Sequence, residues 1–170
     1  MPKSLIFAAL AVVLGTGCQT SKSAGRITTW TANAGELNAD GMRDSLGMEG
    51  LDKAQFAALA ASRIKTITFD LDSYTLTPEA RDILKKNAGL IQAAEGTISI
   101  QGHADELGTE EYNLALSERR AIAVRDYYER MGVPQQRMKT VAYGELKPLC
   151  TDSRGDCWRL NRRAKTVLDY

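Results

Sequence analysis

Asp105 and Arg120 are the two side chains of this sequence best suited to joint work. They carry opposite charges and stand fifteen residues apart within IQGHADELGTEEYNLALSERRAIAV at 100–124, a stretch that reads as strand, loop and helix. A carboxylate accepts several hydrogen bonds, and a planar guanidinium donates through a rigid fork. The pair either pins the loop to the helix as a salt bridge or acts on a ligand. Asn113, on the same side of the helix as Arg120, adds neutral donors and acceptors. His103 is the only histidine, which excludes a two-histidine metal site and leaves it the roles of general base or loop shaper. Asp105 and Glu106 are neighbours on one loop. They cannot readily flank a glycosidic bond across the roughly 5–9.5 Å that paired catalytic carboxylates need. The residues argue against catalysis and call for no cofactor.

The elements that must position these groups are legible. Residues 64–69 alternate with β-branched side chains and predict a strand. Thr77 and Pro78 mark a helix start, a capping hydroxyl followed by proline at the first helical position. Ala80, Ile83, Leu84, Ile91 and Ala94 keep helical spacing from there to Gly96. Residues 97–101 predict a second strand with Ile98 and Ile100 inward, and 110–130 a second helix stopped by Gly132 and Pro134. Two further strands are expected at 138–143 and 164–168. On the second helix Leu114, Ser117, Ala121, Val124, Tyr128 and Met131 share one face. Arg119, Arg125 and Arg130 point away from it, and Arg120 sits at its border. Gly102 and Gly108 are expected in turns, and Tyr143 and Trp158 either over the site or in simple packing. Strands alternating with helices imply a small α/β (α+β) two-layer sandwich. Residues 52–62 form a further candidate helix, with Phe56, Leu59 and Ala60 on one side. Residues 19–50 hold no sustained period and read as a flexible tether. About thirty such residues average about 30 Å end to end and reach about 100 Å when stretched.

Four motifs follow in order over about residues 66–170: TITFDLDSYTLTPEA, GHADELGTEEYNLALSERRAIAV, VAYGELKP and NRRAKTVL. Together they resemble the OmpA-like peptidoglycan-binding domain, and the YN, SERRA and NRRA variants most resemble that family's branch of peptidoglycan-associated lipoproteins. The resemblance implies a βαβαβ–β domain with a mixed sheet over 61–170. It also implies that Asp105, the aspartate of a GHxD pattern, and Arg120, the arginine of an LSxxRA pattern, grip the ammonium and carboxylate of a diaminopimelate side chain in peptidoglycan. A carboxylate and a guanidinium fork suit such a zwitterion. Asn113 would stand beside them. Asp72 matches a binding position after the first strand, while Asp70, its near twin, is expected to be structural. Arg162 and Arg163 match the NRR pattern, and one of them would approach the ligand. The family resemblance also implies a periplasmic Tol propeller as protein partner. A flagellar-stator relative would share the domain but would need a transmembrane helix, and no apolar run has that length.

Lys3 precedes an apolar run at 5–14, too short for the roughly 20 residues that span a bilayer. Gly15, Thr16 and Gly17 then lead to Cys18. This resembles a lipoprotein signal, with 1–17 removed and Cys18 acylated as the first mature residue; the rival is an ordinary secretory signal with a chance cysteine. Gln19, in place of an aspartate, favours outer-membrane anchoring, with 18–60 as a lipid-anchored tether facing the periplasm. The net charge is +1, and removing Lys3 leaves it near zero, a balance that does not suggest nucleic acid, which calls for a basic patch. Cys150 and Cys157 flank TDSRGD, which reads as a loop. Export to an oxidising compartment predicts a disulfide there; two cysteines without a nearby histidine supply half a zinc site.

Overall fold

The computed structural model describes residue 47, residues 50–152 and residues 154–169. The expected signal segment, Cys18 and the tether up to residue 46 lie outside the described residues.

The first helix, α1 (Lys53–Arg63), starts at a reciprocal cap. The Asp52 side chain accepts from the Gln55 amide at 2.8 Å, and the Gln55 side chain accepts from the Asp52 amide at 3.2 Å. Two otherwise orphaned donors are thereby satisfied. Phe56 and Ala60 are buried, as their spacing predicts, with Leu59 packed at the margin. Strand β1 is only Ile67–Thr68, shorter than the alternation at 64–69 suggests. Ile64 caps α1 through an amide bond to the Ala60 carbonyl, and both backbone groups of Lys65 are taken by the Asn87 carboxamide. Lys65 therefore has no backbone group left for a ladder. Helix α2 (Pro78–Ala93) begins where Thr77 and Pro78 indicate, with Thr77 Oγ1 accepting from the Ala80 amide.

Strand β2 (Thr97–Gly102), helix α3 (Glu110–Arg130), strand β3 (Met138–Ala142), helix α4 (Gly155–Asn161) and strand β4 (Arg163–Asp169) complete the order. The sheet runs β1-β4-β2-β3, with β4 antiparallel to both neighbours and β2 parallel to β3. This is the mixed sheet expected, with helices against it. Ile98 and Ile100, fully buried, meet Leu84, Ile91 and Val124 from the helices. Burying each such side chain contributes about 1.5–3 kcal/mol. The Tyr128 hydroxyl, buried with them, is satisfied by Thr166 at 2.9 Å and by the Asn87 amide at 3.2 Å.

Three expectations are corrected. Leu114 and Met131 are exposed at 46% and 36%, while Asn113, Leu116 and Arg120 are buried. The inward face of the first half of α3 is polar because it closes on loops at the sheet end, where carbonyls need donors. Gly102 is not in a turn but ends β2, and a Cβ there would lie 1.9 Å from the Ser117 carbonyl oxygen. It sets how closely α3 approaches the sheet. Gly108, at φ +113°, is the turn glycine expected. Part of the expected 150–157 loop is helix: α4 begins at Gly155 and buries Cys157, which is disulfide-bonded to Cys150. Seven residues give too few turns for a periodicity signal. The bridge and Asn161, whose side chain bonds the amides of Leu149 and Cys150 and the Cys150 carbonyl, hold it in place.

Candidate functional site

The C-terminal ends of the parallel strands β2 and β3 meet the start of β4 and the loop after β1 at one end of the sheet. The His103 amide donates to the Arg163 carbonyl, Ala104 to Gly144, Tyr143 to Gly102 and Phe69 to Arg162, all within 2.8–3.0 Å. These bonds lock four chain segments around one spot. Helix α3 starts beside it, capped by Thr109, whose hydroxyl accepts from the Tyr112 amide.

Arg120 lies under this junction and is fully buried, not at a border as the helical wheel suggests. Its Nε donates to the Ser73 carbonyl and its Nη1 to the His103 carbonyl, both at 2.8 Å, and its Nη2 to the Asp70 carbonyl at 3.3 Å. The guanidinium also stands 5.2 Å over the Phe69 ring. Burial pulls its pKa down to about 10; Asp105 and Asp72 favour the charge, and Arg162 opposes it. It remains a cation at neutral pH. The side chain thus staples the β1–α2 loop to the β2–α3 loop. Asp70 takes part through its carbonyl, in keeping with a structural role.

Of the two readings of Asp105 and Arg120, the direct salt bridge between them is not formed. Arg162 takes the carboxylate instead, its Nη1 standing 3.0 Å from Asp105 Oδ2. The Asp105 and Arg162 side chains are only 5% and 13% exposed. Arg162 Nε is held by the Phe69 carbonyl at 3.2 Å, so its fork is fixed in direction. Water competes weakly with a pair this sheltered, and either partner left alone would be costly. Arg163, the other arginine of the NRR pattern, faces elsewhere: its Nη2 donates to the Lys147 carbonyl at 3.1 Å. The register explains the split, since consecutive residues entering a strand point to opposite faces.

Asn113 is fully buried at the first turns of α3 and donates through Nδ2 to Glu145 Oε2 at 2.7 Å. Asp72, exposed and at φ 51°, a left-handed conformation aspartate tolerates, accepts from the Tyr112 hydroxyl. Glu106 accepts from Trp158 Nε1 at 3.0 Å, which places Trp158 beside the loop. Tyr143 stacks on His103 at 5.3 Å, and Lys147 Nζ stands 3.9 Å from the centre of the Tyr143 ring. His103 is buried, and desolvation, then Arg163, Lys147 and Lys165, lower its pKa to about 4. A neutral, enclosed imidazole fits loop shaping better than proton transfer. The structure therefore brings Asp105, Arg162, Arg120, Asn113 and Asp72 around one end of the sheet and turns Arg163 aside. Tyr112 and Glu145 escaped the sequence reading; Tyr112 adjoins Asn113 and Glu145 lies within VAYGELKP, so both sat in motifs already marked. Among the described residues no cluster of three or more potential metal ligands occurs, and no helix is long and apolar enough to cross a membrane.

The chain is similar to known proteins over this same region. A model of the OmpA family matches residues 68–163. The peptidoglycan-associated lipoprotein of Brucella melitensis is 48% identical over 104 residues, which cover 61% of this chain and 62% of that relative. The chain thus spans less than two thirds of that relative's length. The peptidoglycan-associated lipoprotein of Agrobacterium fabrum is 41% identical over 149 residues, covering 84% of each chain. The crystal structure of the peptidoglycan-associated lipoprotein from Burkholderia pseudomallei superposes with a TM-score of 0.60 at 37% identity, over 62% of this chain and 90% of the other. With the family model matching more than half of its residues, the chain belongs to the OmpA family.

Proposed function

We propose that this protein is a non-catalytic tether, lipid-anchored in the outer membrane through Cys18, whose periplasmic domain binds peptidoglycan. In this reading residues 1–17 are the signal peptide, 18–60 the anchored tether and 61–170 the wall-binding domain. The ligand is the free zwitterion of diaminopimelate on a stem peptide. The observation that carries the reading is the sheltered Asp105–Arg162 pair at 3.0 Å, an acceptor and a fixed fork side by side. An incoming ammonium and carboxylate can exchange with that pair without leaving either charge unpaired. Arg120 supports the loops that present it, with Asn113 and Asp72 beside them; Arg162 is the arginine of the NRR pattern that reaches the ligand, and Arg163 is structural. The printed name of the relatives, peptidoglycan-associated lipoprotein, supports the same assignment. A periplasmic Tol propeller is the protein partner this reading implies.

The test is to incubate the full chain, in mild detergent, with purified diaminopimelate-type sacculi and to assay both pull-down and released fragments. Pull-down with no soluble muropeptide is expected. Release above a heat-killed control, abolished by a point change in the domain, would refute the tether.

A further inference from the structure

Helix α4 has little of its own to hold it. It is seven residues long, and isolated helices shorter than about 12–15 residues are marginal. Its cap residue Arg154 makes no side-chain capping bond, and Gly155, Asp156, Arg159 and Leu160 are exposed. Two buried side chains fasten it to the β3–α4 loop. Cys157 is bridged to Cys150, and the Asn161 carboxamide bonds the Leu149 amide and both backbone groups of Cys150 at 2.7–3.1 Å. Both fastenings end on Cys150.

From this helix two side chains reach the β2–α3 loop. Trp158 Nε1 donates to Glu106 Oε1, and Arg162, the residue that ends the helix, donates through Nη1 to Asp105 Oδ2, both at 3.0 Å. Asp105 and Glu106 are neighbours in the chain, and Trp158 and Arg162 stand one helical turn apart. The Arg162 amide donates to the Trp158 carbonyl at 3.0 Å and closes that turn. The four residues thus make a closed ring of one helical turn, two side-chain bonds and two adjacent loop residues. A shift of α4 moves Trp158 and Arg162 together, and the indole holds the loop where Asp105 meets the guanidinium.

We propose that Trp158 is a positioning residue of the wall-binding site, and that the Cys150–Cys157 bridge makes its hold, and with it wall binding, depend on thiol redox state. The inference rests on the wall-binding reading above. Cys150 is half-buried and lines a cleft of about 200 Å³ with Glu145, Pro148 and Thr151, whereas Cys157 is only 4% exposed. A dithiol reductant therefore reaches Cys150 first. One of its thiolates attacks Cys150 Sγ, the S–S bond breaks, and Cys157 leaves as a thiolate. The second thiolate then displaces Cys150 and closes the reductant's own disulfide. Two electrons pass to the protein, and the two protons of the dithiol end on Cys150 and Cys157. Asn161 alone then fastens α4, and the Trp158–Glu106 bond loses its fixed base.

The experiment measures binding of the full chain, in mild detergent, to purified diaminopimelate-type sacculi. Wild type and Trp158→Phe are each compared with the bridge intact and after reduction by dithiothreitol, the thiol state being read by mass spectrometry. The unfolding temperature of all four species is recorded, and binding is read well below it. Reduction of wild type should weaken binding about tenfold, the scale of one hydrogen bond to a charged group, and re-oxidation should restore it. Trp158→Phe keeps the ring but loses the donor, and with its bridge intact should bind about tenfold more weakly at a near-wild-type unfolding temperature. Because the bridge acts through Trp158, the two losses should not multiply, and reduced Trp158→Phe should fall well short of a hundredfold loss. A hundredfold loss would show bridge and indole acting independently. Reduction that leaves wild-type binding unchanged, or that unfolds the domain at the assay temperature, would remove the redox dependence, and wild-type binding by Trp158→Phe would remove the positioning role; each of these overturns the proposal. If oxidised wild type does not bind sacculi at all, the wall-binding reading itself falls.

Discussion

Removing the Arg120 guanidinium should damage the fold before it damages recognition. The side chain is fully buried and donates to carbonyls at Ser73, His103 and Asp70, which belong to two different loops. Hydrogen bonds from a charged donor contribute about 1.5–3 kcal/mol each, not additively, and an abandoned buried acceptor carries its own desolvation cost. Set against this is the cost of burying the guanidinium, visible in a pKa pulled down to about 10. Arg120→Ala should therefore lose about 3–5 kcal/mol. In a domain of this size each kcal/mol lowers Tm by about 4 °C, so the expected fall is about 10–20 °C. Arg120→Lys keeps the charge but offers one ammonium to acceptors spread around a planar fork, and should lose about 2 kcal/mol. Arg119→Ala, exposed and only 5.9 Å over the Tyr74 ring, should stay within about 0.5 kcal/mol of wild type. Thermal and urea unfolding of the three variants by circular dichroism, with sacculus binding measured well below each transition, separates stability from recognition. If Arg120→Ala unfolds within about 2 °C of wild type, the stapling role is wrong and Arg120 belongs to the ligand alone.

Three more outcomes are expected. His103 has a folded pKa of about 4 against 6.5 unfolded; between those values the unfolded chain binds the extra proton, so stability rises with pH up to about 6.5 and is lost as pH falls towards 4. Urea unfolding at pH 5 should show about 2 kcal/mol less stability than at pH 7, and His103→Gln should remove most of that difference; an unchanged difference would place the effect elsewhere. Gly102→Ala sets a Cβ 1.9 Å from the Ser117 carbonyl oxygen, and should cost about 3 kcal/mol or more as α3 is pushed off the sheet; a wild-type Tm would contradict that approach. Cys18→Ser should leave the domain folded but absent from membrane fractions after wall digestion, because stable anchoring takes more than one acyl chain; continued sedimentation with outer membrane would refute the anchor.

The sequence by itself determined the elements whose signals are local. Thr77 with Pro78, Gly132 with Pro134, and the inward pair Ile98 and Ile100 mark one helix start, one helix stop and the central strand, because caps, breakers and periodicity act within a few residues. The ordered motifs also carried the family, and the two cysteines their bridge. Only the tertiary structure decided which charges meet. Asp105 could pair with Arg120 fifteen residues away or with Arg162 fifty-seven away, and nothing local chooses. The antiparallel placement of β4 beside β2 brings Arg162 to the carboxylate, and the entry register turns Arg163 to the other face. Arg120 then serves the Ser73 and Asp70 carbonyls, 47 and 50 residues away in the sequence. The short β1 was hidden for the same reason, since both backbone groups of Lys65 are claimed by the distant Asn87 side chain. A local pattern proposes hydrogen bonds and salt bridges, and long-range competition for the same donors and acceptors settles them.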